Sequence, residues 1–300
     1  VKYKIILVFL SILVFQLVEI DPSYYNGVCL TLILLIGVPH GAADHRINTT
    51  LIKGASMPKF ILQYILIAVG YTIWWILMPI KAALMFYVLS IYHFGQEFME
   101  ELNITKPKTW EIMVWGSSIL LLPSLIAYQE ISSSLEWFSS DSSLQLNEGI
   151  RTTLISVIPI AMLFSLYQLR VQGRISSKKA LRSILFLSVL NISYLFLPFL
   201  VAFTLYFILF HSLNAFNHQF DWLKNRIKNY NLGSLLKDLG LFSFMSISGL
   251  LFLIYFMRGK EFSEIVSYFF MIISVVTLPH ALLFDKFYKL RKEPSKHVVD

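Results

Sequence analysis

The stretch SILFLSVLNISYLFLPFLVAFTLYFILFH, residues 183–211, contains no Asp, Glu, Lys or Arg. A membrane-spanning helix needs about 20 mostly apolar residues. The run is therefore read as the core of two consecutive spans, 182–198 and 199–222, divided at Leu197-Pro198. Proline disfavours an unbroken helix because it lacks the N–H and clashes with the preceding turn. Moving outward, similar apolar runs occupy 3–20, 24–46, 59–80, 82–101, 109–128, 150–169, 236–257 and 262–288. The expectation is an all-α fold: a polytopic transmembrane helix bundle of about ten spans, forming a single integral-membrane domain over residues 1–300. Residues 3–20 are read as a retained span, because no small-residue cleavage site follows Glu19-Ile20-Asp21.

Composition agrees. Hydrophobic residues make up 56% of the chain and charged residues 14%, against about 25% charged in an ordinary soluble domain. The net charge of +7 is no nucleic-acid footprint, because the basic residues are bunched in the connections between apolar runs. Cytoplasmic loops of membrane proteins carry such an excess of Lys and Arg. Arg170, Arg174, Lys178, Lys179 and Arg182 follow the sixth span. Lys224, Arg226, Lys228 and Lys237 follow the eighth, and Lys286, Lys289, Arg291, Lys292 and Lys296 lie at the C-terminus. The loop after the fifth span is acidic, with Glu130, Glu136, Asp141 and Glu148. Ten spans with both termini cytoplasmic, in a bacterial inner membrane, place all three basic segments inside and the acidic loop outside. The connection at 102–108 fits least well, because Glu97, Glu100 and Glu101 crowd a nominally inside end. Cys29 stands alone, so there is no disulfide framework and no CxxC site.

Ionisable residues inside spans are costly, so each is a functional hypothesis by default. Four histidines stand out: His40 in VPHGAADH, His93 in YHFGQEF, His211 in FHSLNAF and His280 in LPHALLFD. They lie in the second, fourth, eighth and tenth spans, which run in the same direction. Each is about 11 to 18 residues past its span's start, which at about 1.5 Å per residue gives a similar depth. Imidazole suits iron, zinc, copper and nickel, so four imidazoles at one level describe a metal cage. Asp44 follows His40 by four residues, Glu97 follows His93 by four, and Asp285 follows His280 by five. Residues four apart share a helix face, so these carboxylates are candidates to hold ligand imidazoles through Nδ1–H, or to be ligands themselves. The plainer reading is a packed, hydrogen-bonded histidine, and His45, His218 and His297, near span ends or in the tail, are read that way. Asp44 and Glu97 are equally compatible with marking the cytoplasmic water boundary.

These residues resemble the Brp/Blh family of bacterial and archaeal β-carotene 15,15′-dioxygenases. The resemblance is carried by PHGAAD at 39–44, HFGQE at 93–97, HSLNAF at 211–216 and PHALLFD at 279–285. It implies a polytopic enzyme that uses Fe(II) and O₂ to cleave the central double bond of β-carotene, giving two retinals. Family members are often linked to microbial rhodopsins, so the resemblance also implies a rhodopsin as recipient of the product. It places iron ligands, and hence catalytic residues, at His40, His93 and His211. The family's HSxxHF motif has a further histidine ligand four residues after the first, and that position is Ala215 here, which cannot bind a metal. His280 is an additional candidate ligand, and Asp44, Glu97 and Asp285 are candidate ligands or supports. An impaired copy is therefore expected. A non-catalytic carotenoid-, retinal- or metal-binding protein on the same scaffold is the alternative.

β-Carotene has no acidic proton and no good leaving group. Acid–base hydrolysis is therefore irrelevant, and no Ser/His/Asp set is apparent. Membrane desaturases and hydroxylases, the rival metalloenzymes, carry dense HxxxH and HxxHH boxes that this chain lacks.

Overall fold

The computed structural model describes residues 2–51, 56–136, 146–256 and 259–290, and all the regular elements there are helical. The side chains of a few of these residues, His40 among them, are outside the description, as are Asp141, His297, Arg291, Lys292 and Lys296. The helices are α1 (Lys2–Leu17), α2 (Pro22–Leu32), α3 (Asp44–Leu51), α4 (Met57–Leu77), α5 (Pro79–Glu101), α6 (Thr109–Gly116) and α7 (Leu122–Ile126). They continue as α8 (Tyr128–Glu136), α9 (Glu148–Val171), α10 (Ser177–Phe196), α11 (Phe199–Tyr206), α12 (Leu213–Lys224), α13 (Leu232–Phe256) and α14 (Phe262–Leu290).

Among the described residues, the ten apolar runs are largely helical. Among the described residues, seven helices are long and apolar enough to cross a membrane, and Tyr3–Leu17 is a shorter apolar helix. The polar run His93–Glu97 dilutes α5, which is not among the seven. The apolar residues left uncovered form stripes along one helix face. On α4, Leu62, Leu66, Val69, Ile73 and Ile76 are all exposed and follow the spacing of one face. In water such a surface would be an aggregation hazard; against acyl chains it needs no partner.

Three runs read as single spans contain π-helical turns instead of regular α-helix. Ile33–Gly37 interrupts the second, followed by the 3-10 turns Val38–Ala43. Ser117–Leu121 interrupts the fifth and Phe207–Ser212 the eighth. Prolines explain two of them. Pro39 and Pro123 cannot donate to the preceding turn, and wider turns absorb the mismatch. Around the second turn, side chains satisfy backbone carbonyls. Tyr87 and Ser124 donate to the Leu120 carbonyl at 3.2 and 2.8 Å, and Asn191 donates to that of Ser118 at 3.4 Å. The division expected at Leu197-Pro198 is present: α10 ends at Phe196, Leu197 is extended, and α11 begins at Phe199.

The chain folds as two compact units, each built from two separated stretches: Val1–Asn26 with Tyr87–Tyr206, and Gly27–Phe86 with Phe207–Asp300. In the first unit, α5 and α6 touch backbone to backbone. A Cβ at Gly95 would overlap the Ile112 carbonyl, and one at Gly116 would overlap that of Ile91. Small residues permit this approach between helices in a bilayer. Trp115 adds an interhelical bond to Ser165 at 3.0 Å.

Polar contacts at the helix ends of this unit also report sidedness. The α9 helix ends at Gly173, whose φ of +65° favours glycine. Beyond it, Arg174 reaches the buried Glu111 carboxylate at 2.5 Å and the Lys106 carbonyl at 2.9 Å, and Lys179 reaches the Leu102 carbonyl at 2.9 Å. The troublesome 102–108 connection is thus on the same side as the basic loop after the sixth span. At the opposite helix ends, Glu130 accepts from the Phe199 N–H at 2.8 Å, a carboxylate on a helix N-terminus. Gln16 donates to the Phe196 carbonyl at 3.2 Å.

In the second unit, Ala42, Ala43, Ile47, Trp222, Leu223 and Phe287 belong to one buried cluster. It joins α3, α12, α13 and α14 beneath the turns that carry the sequence motifs. Trp75 on α4 bonds Ser274 on α14 at 2.8 Å. In the first turn of α3, Arg46 lies 3.6 Å from Asp238, which also accepts from the Tyr230 hydroxyl at 2.9 Å. Burial and the Asp238 carboxylate raise the Tyr230 phenol above its ordinary pKa, so it remains a donor.

Candidate active site

In the second unit the motif residues of three chain segments come together. His280 lies on α14, one residue beyond Pro279, and is buried. Its Nδ1 is 2.9 Å from Oδ1 and 3.0 Å from Oδ2 of the buried Asp44. A carboxylate at Nδ1 orients the imidazole ring in the way that metal-binding histidines are commonly held. The hydroxyl of Tyr64 on α4 donates to the Val276 carbonyl at 3.1 Å, in the turn before Pro279.

Asp44 was a candidate to hold His40, four residues before it; the structure bonds it to His280. His40 is the third of the six residues of the 3-10 segment Val38–Ala43, and its side chain is outside the described ones.

His211 is buried within the turn Phe207–Ser212. Its ring stacks on Phe207, with centroids 5.0 Å apart and planes 21° from parallel. Both histidines adjoin the segment Ile33–Ala43: Phe207, on which His211 stacks, abuts Gly37, and His280 abuts Gly41. The two π-turns Ile33–Gly37 and Phe207–Ser212 pack against one another. Such turns are frequent at functional sites, and here one immediately precedes the PHGAAD motif and the other contains the HSLNAF histidine. Ser212 is fully buried. Ala215 is buried on α12, one turn past His211, so the residue at the family's ligand position is in the interior.

The first unit carries His93 and Glu97 on α5, both buried. Phe94 packs on Tyr206 with centroids 5.6 Å apart, and Phe98 stacks between Trp115 and Phe186 at 4.9 and 5.6 Å. The helix with the second histidine motif is therefore walled by aromatic rings. Glu97 and Glu101 lie within electrostatic reach of Lys4 on α1. The histidines read as packing residues behave variously: His45 is half-buried with Nδ1 3.0 Å from the Ala42 carbonyl, and His218 is half-buried on α12. Among the described residues, no three His, Cys, Asp or Glu side chains form a cluster able to hold a metal ion.

Two residues that matter to this arrangement were not singled out in the sequence: Tyr64, which bonds the turn before His280, and Phe207, on which His211 stacks. Neither has a local signal, because each acts on a residue of another segment or through a widened turn.

Comparison with known proteins followed the same residues. No solved structure matches the chain. A curated β-carotene 15,15′-dioxygenase from an uncultured marine bacterium, 66A03, is 25% identical over 265 residues, covering 85% of this chain and 91% of the relative. The family profile described as β-carotene 15,15′-dioxygenase matches residues 31–288, from the first π-turn through α14, and so takes in all four histidine motifs. The chain belongs to the β-carotene 15,15′-dioxygenase family.

Proposed function

We propose that this protein cleaves the central double bond of β-carotene oxidatively, with Fe(II) and O₂, to give two retinals. The reading rests on family membership across residues 31–288 together with one observation: His280 is buried with its Nδ1 held by Asp44. That arrangement suits an imidazole prepared for a metal, since a carboxylate at Nδ1 is the usual support of a ligating histidine. The donor set fits iron in kind, being neutral nitrogen without thiolate.

The motif resemblance assigns iron ligation to His40, His93 and His211, and His280 is a further candidate. When bound, Fe(II) supplies the redox chemistry and the open position that O₂ needs. The protein's own part is to orient and to exclude water. Asp44 keeps the His280 proton on Nδ1, and Phe207 holds the plane of His211. Glu97 and Asp285 are supports in this reading. The substrate in this reading is an apolar polyene, which dissolves in the lipid phase and reaches a membrane protein without crossing water. Retinal leaves into the same phase, where a microbial rhodopsin is a chemically suitable recipient. The setting is a bacterial inner membrane with both termini cytoplasmic.

Ala215 leaves the motif one imidazole short. Loss of a group that merely supports a ligand costs about 10–100-fold in metal affinity or activity, so loss of a ligand costs at least as much. The proposed enzyme is therefore weak in iron and slow. Ala215 is also the observation that favours the second reading, a carotenoid- or metal-binding protein without turnover. Colour separates the two. Cells that make β-carotene bleach when the protein cleaves it and stay orange when it only binds, and iron content measured in the same preparation tests the metal.

A further inference from the structure

The irregular segment Ile33–Ala43 carries two glycines four residues apart, and each receives a ring from another helix. A Cβ at Gly37 would overlap the Phe207 ring, the same ring that stacks on His211 at 5.0 Å. A Cβ at Gly41 would stand 3.2 Å from His280 Nδ1, the atom that bonds Asp44 at 2.9 Å. Neither glycine has a positive φ among those recorded, so backbone conformation does not require glycine at either place. Space is the constraint. At Gly37 a methyl would overlap the Phe207 ring, and at Gly41 it would crowd a ring nitrogen already engaged.

We infer that Gly37 and Gly41 are positioning residues that seat two histidines on one segment, His211 through the Phe207 ring and His280 directly. The inference rests on the function proposed above for its catalytic meaning, but the seating itself is testable without metal or substrate. A methyl at 37 displaces Phe207 and with it the His211 ring. A methyl at 41 presses on His280 and loosens its bond to Asp44. The two effects belong to different histidines, which a general loosening of the fold would not reproduce.

The experiment labels metal-free protein in detergent with diethyl pyrocarbonate and quantifies each histidine by mass spectrometry. Gly37→Ala is expected to speed labelling of His211 several-fold and leave His280 nearly unchanged. Gly41→Ala is expected to do the reverse. Equal labelling of both histidines in both variants, or no change in either, overturns the inference. If the crossed labelling appears but the unaltered protein neither holds iron nor forms retinal, the seating stands and the proposed function falls.

Discussion

Asp44 and His280 stand 236 positions apart in sequence and 2.9 Å apart in the fold. Both are buried within the second unit, the carboxylate on the first turn of α3 and the imidazole deep in α14. A carboxylate this far from water is costly unless it is hydrogen-bonded, and two contacts to Nδ1 supply that bond. If His280 serves the metal, Asp44→Ala should lower iron affinity and retinal formation together by about 10–100-fold. Asp44→Asn keeps an acceptor oxygen and should fall between. Full iron content and full activity in Asp44→Ala would remove the pair from the chemistry.

The apolar runs made the helices legible, and the break at Leu197-Pro198 was readable because proline acts on its own neighbours. The π-turns were not. Pro39 and Pro123 signal trouble in a helix, but whether the chain kinks, breaks or widens depends on packing partners distant in sequence, and Phe207–Ser212 contains no proline at all. The partner of His280 was sought along its own helix and came from another. Ala215, by contrast, was visible at once, because a motif position is read without knowing any contact.

Ala215→His should raise iron occupancy and retinal yield together, by at least about tenfold on the scale of lost metal supports. The site of the change is interior and one turn from His211. Iron measured by mass spectrometry and retinal by chromatography on the same sample give the answer. A rise in neither would mean that another group already fills the role.

The close approach of α5 and α6 depends on Gly95 and Gly116, each facing backbone that cannot yield. Gly95→Val or Gly116→Val should destabilise the protein by about 1–3 kcal/mol or more, the range for overpacking a filled interior. Thermal unfolding in detergent should show the drop. An unchanged midpoint would mean that the helices separate freely.

Glu111 is fully buried, and Arg174 is its charged partner at 2.5 Å. Arg174→Ala strands that carboxylate and should cost on the order of 3 kcal/mol. Changing Glu111 to Gln in the same chain should return part of the loss, because no buried charge is then left unpaired. Equal stability of the single and double variants would show that the pair is not coupled.

The contacts of Arg174 and Lys179 with 102–108, and of Glu130 with Phe199, place successive connections of the first unit at alternating ends. Reporter fusions at residues 105 and 175 should therefore report one side and a fusion at 140 the other, with 175 cytoplasmic by its basic charge. Residues 140 and 175 on the same side would sink the ten-span topology.

The most direct measurement is product stoichiometry. Purified protein, as it stands and with Ala215→His, is loaded with Fe(II) and given β-carotene in aerated detergent, and the products are separated by chromatography. Central cleavage predicts two retinals for each β-carotene consumed, slowly for the unaltered chain and faster for Ala215→His, with none when air or iron is withheld. Products of unequal chain length, or iron-loaded protein of both forms that leaves β-carotene intact, would contradict it.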